Sequence, residues 1–189
     1  MDVTVGSVED RRIKLQLRLA QLEKNELAQN NFLHFVHAMW PEFISGRHHK
    51  IISEKLQRVA SGELKRLIIN MAPRHTKSEF ASFLFPAWMM GQNPRMKIIQ
   101  ATHTTELAVN FGRKTKNLID SDEYKEVFPE VKLAADSKAS GRWDTSRGGM
   151  YYAVVTLVSP PVTFTDQIST CDQVRPDAMW LIVGALILN

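Results

Sequence analysis

The chain has 189 residues, 44% hydrophobic and 23% charged, with 9 Gly and 8 Pro, which excludes disordered, collagen-like and low-complexity classes. Its one cysteine, Cys171, excludes a disulfide framework and a cysteine-based zinc site. Net charge is +4; residues 151–189 hold one basic residue (Arg175) and three acidic ones (Asp166, Asp172, Asp177), which leaves 23 basic against 17 acidic residues, or +6, in residues 1–150, compatible with a polyanionic partner but weaker than a dedicated DNA-binding patch.

Residues 9–29 intersperse Ile13, Leu15, Leu17, Leu19, Leu22 and Leu27 among charges with no Gly or Pro, and predict a helix. A short helix is expected over Phe32–Met39, ending before Pro41. From His48 to Ala60, Ile51, Ile52, Leu56 and Val59 recur at helical spacing, with Gly62 placed to cap the C-terminus. The period then changes. Leu67, Ile68 and Ile69, between Lys65-Arg66 and the polar stretch Asn70–His75, predict a short buried strand. A buried helix is expected over Lys77–Met90, a turn at Gly91-Gln92-Asn93-Pro94, a strand at Met96–Gln100 and a helix over Thr104–Ile119. Gly148-Gly149 predicts a hairpin leading into a strand over Met150–Val158. Strands alternating with helices define an α/β class with a mainly parallel sheet flanked by helices, after an N-terminal helical region.

The segment Arg66–Glu79, RLIINMAPRHTKSE, runs from strand to loop to helix start. Such a junction presents unpaired N–H groups and the positive end of a helix dipole, so it can hold phosphate oxygens. Lys77 in the first turn adds a full charge for the β and γ phosphates, and the Ser78 hydroxyl can ligate a bridging Mg²⁺. The generic pattern G-x-x-x-x-G-K-[ST] fails: Met71 and Thr76 occupy its two glycine positions. Taken alone, the Lys-Ser pair reads equally as an exposed lysine beside a capping serine. His34 and His37 lie i, i+3 on a helix, but with His48 and His49 they give no zinc spacing. They read as partly buried neighbours of Phe35 and Trp40. Trp40, Trp88 and Trp143 read as core or rim aromatics.

The segment MAPRHTKSEFASFLFPAW resembles the variant Walker A of phage terminase large subunits, the motors that package viral DNA, in which P-R-H-[GT]-K-S-E follows a strand of the type LIIN. FLHFVHAMWPEF and RHHKIISEKLQRVASGELKRLIIN before it, and MKIIQATHTTELAVNFGRKTKNLIDSDEYKEVFP and SKASGRWDTSRGGMYYA after it, are similar to that family's ATPase domain, so the resemblance spans roughly residues 30–153. It implies a P-loop NTPase-like fold and a site for ATP with Mg²⁺. Pro73, Arg74, His75, Thr76, Lys77, Ser78 and Glu79 form its loop. Arg74 points at the γ phosphate, where a guanidinium can make two hydrogen bonds at once. Lys77 lies on the phosphates and Ser78 on the metal, while Glu79 caps the helix. Around His48 and His49 related motors hold the adenine ring. Gln100, Thr102 and His103 follow a strand at the sheet edge where ligands gather. Arg113, Lys114 and Lys116 read as a solvated face or as phosphate contacts, and Arg142 as a candidate toward a neighbouring subunit's nucleotide.

The resemblance also implies double-stranded viral DNA, a small terminase subunit and a portal as partners, a homo-oligomeric ring, and action in the host cytoplasm without a membrane. No apolar leader opens the chain, and its longest apolar run, Trp180–Leu188, is too short to span a bilayer. After residue 153 the family would continue into a glycine-rich stretch and an apolar strand ending in two acids, one for Mg²⁺ and one for the attacking water. This chain continues VVTLVSPPVTFTDQ, where Asp166 is a poor substitute, and the nuclease domain is missing. The expected organisation is a helical region over 1–62, an incomplete ATPase core over 63–153 and an atypical tail over 154–189 from truncation or a frameshift. The expectation is a terminase fragment that binds ATP and hydrolyses little of it alone, within a parent that hydrolyses ATP to translocate DNA and cuts DNA. The alternatives are another P-loop translocase of helicase type, or a non-enzymatic basic module that binds DNA or a capsid partner.

Overall fold

The computed structural model describes residues 8–72, 74–135, 139–155 and 180–181. Three helices come first: α1 (Val8–Asn30), α2 (Phe32–Met39) and α3 (Arg47–Ala60). A helix beginning at Lys77 passes through a π-helical segment, Glu79–Leu84, into α4 (Phe85–Gln92). Then come β1 (Lys97–Thr102), α5 (Thr105–Asp120), α6 (Asp122–Val127), β2 (Arg142–Asp144), β3 (Met150–Val155) and β4 (Trp180–Leu181). The protein is mixed α/β.

Local chemistry sets the helix ends. Asn31 caps α2 by accepting from the amides of Leu33 and His34 at 2.9 and 3.2 Å. Thr104 and Ser121 cap α5 and α6 in the same way. Gly62 closes α3 with φ of 78°, the left-handed conformation a terminal glycine adopts without strain, and donates to Val59 C=O at 3.1 Å.

The sheet has the order β2-β3-β1-β4, with β1 parallel to both β3 and β4 and β2 antiparallel to β3. Two of its three pairings are parallel, as alternating strands and helices require. The β2–β3 hairpin closes where the paired glycines placed it: Gly148 has φ of 86° and Thr145 N–H donates to Gly149 C=O at 2.9 Å. A Cβ on Gly149 would meet the carbonyls of Pro94 and Met96. β3 runs two residues past the expected boundary at 153, pairing Val154 with Ala101 and Val155 with Thr102. Of the tail, Trp180 and Leu181 pair with Ile99 and Gln100; the rest of the strand expected to Val158 and Asp166 lie outside the described residues.

The strand expected at Leu67–Ile69 is not formed. A short strand is held by its ladder, and Leu67–Ile69 is paired with none of the four strands β2-β3-β1-β4 of the described sheet. The segment keeps only the period of a strand. Leu67, Ile69 and Met71 pack partly buried against the core, while Ile68 is 78% exposed and Asn70 and Ala72 face solvent.

One hydrophobic cluster joins the N-terminal helices to the core, from Ala28 and Phe32 to Ile98 and Tyr151, so residues 62/63 mark a change of secondary structure and not a break in packing. Phe32, fully buried, is its hub: its ring meets Phe80, Phe85 and Trp88 at centroid distances of 5.7, 5.4 and 5.6 Å. Trp88 Nε1 donates to Ala28 C=O at 3.1 Å and Tyr124 Oη to Ala87 C=O at 2.8 Å. Trp143 stacks on Tyr151 at 4.9 Å and donates to Gly112 C=O at 3.1 Å. Trp88 and Trp143 are therefore core residues, and Trp40 is half-buried. α1 behaves differently: Asn25 and Gln29 hydrogen-bond the carbonyls of Glu126 and Val127, while Leu15, Leu17 and Leu19 stay 71%, 67% and 58% exposed. Among the described residues no helix is long and apolar enough to cross a membrane.

Phe32→Ala removes the ring that ties α2 to the helix after the loop. We predict a loss of about 3–5 kcal/mol, seen as a lower urea midpoint at nearly constant m-value.

Candidate functional site

The loop between the extended segment and the helix at Lys77 turns through two left-handed residues, Arg74 with φ of 63° and Thr76 with φ of 56°. For a β-branched threonine this conformation is rare, because Cβ crowds the following carbonyl, and costs about 1–2 kcal/mol. It persists where the surroundings over-determine it.

Three hydrogen bonds supply that constraint. Gly46 N–H donates to His49 Nδ1 at 2.9 Å, His49 Nε2 lies 2.7 Å from Thr76 Oγ1, and Thr76 Oγ1 donates to His75 C=O at 2.7 Å. Because Nδ1 accepts, the neutral ring carries its proton on Nε2 and donates it to Thr76, whose own proton goes on to His75. All three bonds run in one direction and polarise one another. His49 stands at the third position of α3 and reaches back to the residue preceding the helix, which is half of a capping box. Its ring is 6% exposed, stacked on Phe80 at 5.0 Å and edge-on to Phe43 at 4.7 Å.

Beyond Thr76 the helix begins as the sequence indicates. Its first internal bond runs from Phe80 N–H to Thr76 C=O at 3.0 Å, so the amides of Lys77, Ser78 and Glu79 have no carbonyl within the helix to bond. A left-handed residue followed by a helical one turns successive N–H groups toward a common point, a concavity suited to anions. Arg74 and His75 are exposed, and Thr76, Lys77 and Ser78 are half-buried. The π-helical segment that follows carries Phe80 and Leu84 into the core; π turns inside helices are frequent at functional sites.

The site residues read from sequence divide accordingly. Arg74, His75, Thr76, Lys77 and Ser78 are brought together on the turn and first helical residues; Pro73 lies outside the described residues. His49 is brought to the loop, but as its internal support, with both ring nitrogens bonded and the ring between two phenylalanines. His48, half-buried, lies between it and His75 at centroid distances of 3.8 and 6.0 Å. Glu79 pairs with Lys114 of α5 at 3.1 Å, a partly exposed pair of small energetic weight. Lys114 thus braces the helix after the loop and lies 5.8 Å over the Phe83 ring, which the solvated-face reading did not contain. Gln100 is buried and its Oε1 accepts from Tyr151 Oη, while His103 is exposed. Arg142 lies over the Tyr152 ring at 5.9 Å. His34 is exposed and not partly buried, because its side of α2 faces the opening beside Lys50, Glu54 and Arg58. Among the described residues no group of three or more His, Cys, Asp or Glu could hold a metal ion.

No protein-family model, no curated protein and no solved structure matches this chain.

Burial, with His48 and His75 adding to it, lowers the His49 pKa from 6.5. The folded state therefore favours the neutral ring, and on acidification the unfolded chain takes up the proton first. The stability contributed by His49 is complete above pH 6.5 and is lost as pH falls from there through the lowered folded value. We predict that urea-unfolding stability declines as pH falls below 6.5, with a slope visibly reduced in His49→Gln.

Proposed function

We propose that the loop binds the phosphates of ATP together with Mg²⁺, and that the chain carries the front of a P-loop ATPase domain of the terminase large-subunit kind. The observation that supports this is the backbone at Thr76. The phosphate-loop pattern has a glycine before its Lys-Ser pair because that residue must adopt positive φ. Thr76 occupies the position with φ of 56°, so the glycine is gone and its conformation is kept. A lysine beside a capping serine, the plain reading of the pair, needs no left-handed residue before it and no buried imidazole to hold one.

The residues fit the ligand as follows. The amides at the helix start and the Lys77 ammonium take the phosphate oxygens, and the Ser78 hydroxyl takes the metal, which neutralises phosphate charge when bound. Arg74, exposed on the turn, is within the loop that would meet the γ phosphate. Glu79 is committed to Lys114 and not to the metal. The carboxylate pair that hydrolysis requires is not found in this sequence where the family would carry it, so the activity proposed for this chain is binding, with little turnover. DNA translocation, DNA cleavage, the small subunit, the portal, the ring and the host cytoplasm belong to the proposed parent and rest on the resemblance alone.

Titrating a fluorescent ATP analogue with Mg²⁺ into the protein and its Lys77→Ala variant tests the reading. Saturable binding weakened at least about tenfold in the variant, equivalent to about 1.4 kcal/mol, is expected. Equal binding by both proteins, or none by either while circular dichroism shows both folded, contradicts it.

A further inference from the structure

Thr76 is a β-branched residue held in left-handed backbone, and its side chain is fastened from outside the loop. The fastening comes from α3, 27 residues earlier, through His49 Nε2 at 2.7 Å. His49 is itself fixed on every side: Gly46 N–H at Nδ1, Phe80 on one face and the Phe43 edge against it. His48 and His75 are the ionisable groups whose charge acts on it. The ring therefore cannot follow the loop, and the loop has to follow the ring.

We propose that His49 is the positioning residue of the phosphate site. Its Nε2–H holds Thr76 in the left-handed conformation that aims the first-turn amides at phosphate, so the start of α3 determines whether the site is formed. The proposal rests on the phosphate-binding reading and adds to it a role for an imidazole that touches no ligand. It also separates His49 from the adenine: a positioning residue acts on any ligand with the same phosphates, whereas a base contact acts only on ligands that have a base.

The test is a double-mutant cycle read by binding of Mg-ADP and of magnesium tripolyphosphate, which carries phosphates and no base. His49→Phe keeps the ring packing against Phe43 and Phe80 and removes both hydrogen bonds. His49→Gln keeps one acceptor and one donor. Thr76→Gly makes the left-handed backbone intrinsic to the residue. In the Thr76 background, His49→Phe is expected to weaken both ligands by about tenfold, with recovery to within about threefold in His49→Gln. In the Thr76→Gly background the same His49→Phe change is expected to alter affinity by less than about twofold.

Equal losses in the two backgrounds would make His49 a core residue only and overturn the proposal. A loss confined to Mg-ADP, with tripolyphosphate unaffected, would make it a base contact and also overturn it. Both results leave the phosphate reading intact provided Lys77→Ala weakens binding at least about tenfold. If the folded wild-type protein binds neither ligand, the phosphate reading fails and the proposal with it.

Discussion

The chain must turn sharply between residue 72, at the end of the extended segment, and the helix that starts at Lys77, and it does so through a threonine in a conformation that threonine resists. The local cost is of the order of one net hydrogen bond, about 1 kcal/mol, so local forces alone would let the turn relax. A buried imidazole bonded at both nitrogens prevents that relaxation. The imidazole is immobile because α3 packs on the aromatic cluster, and the cluster is continuous with the helix that follows the loop. Phe80 belongs to both: it contacts His49 and Phe32, so the ring that fixes the turn and the ring at the centre of the core meet on one residue.

This arrangement accounts for how the helical region relates to the sheet. The apolar faces of α2 and α3 join the same cluster as the helix that follows the loop, and α3 carries the imidazole that supports the turn. α5 contributes from the other side, through Lys114 and Glu79. The loop is thus held by α3, while α5 adds a weak pair to the helix that follows it, and the turn carries the exposed Arg74 and His75. α1 adds a different surface. Its basic residues Arg11, Arg12, Lys14 and Arg18 are exposed beside exposed leucines, well separated in sequence from the loop.

Much of the fold was legible because it is set by short-range periodicity. Leu56 and Val59 on α3, the apolar run at Ile98 and Ile99, and the paired glycines at 148 and 149 each identify their element without help from distant residues. The helix start at Lys77 was legible from residue types alone. What was hidden is what distance in sequence hides. Leu67–Ile69 has strand composition, but a strand needs a neighbouring edge, and no residue in the segment reports whether one is there. His49 and Thr76 are 27 positions apart, and nothing in either residue names the other. The resemblance placed His48 and His49 near the loop, but it could not show that His49 bonds the Gly46 amide and the Thr76 hydroxyl. α6 and β2, of six and three residues, are too short for a period to show.

The most direct measurement is to follow backbone amide and His49 imidazole resonances by heteronuclear NMR while titrating Mg-ADP into the full chain. The account predicts that the largest amide shifts fall on His75, Thr76, Lys77, Ser78 and Glu79. The His49 Nε2–H signal should persist with its tautomer unchanged, and Arg11, Arg12, Lys14 and Arg18 on α1 should remain still. Saturating shifts on the basic face of α1 with none at residues 75–79 would contradict it, and would place whatever polyanion this chain binds on the helix and not at the loop.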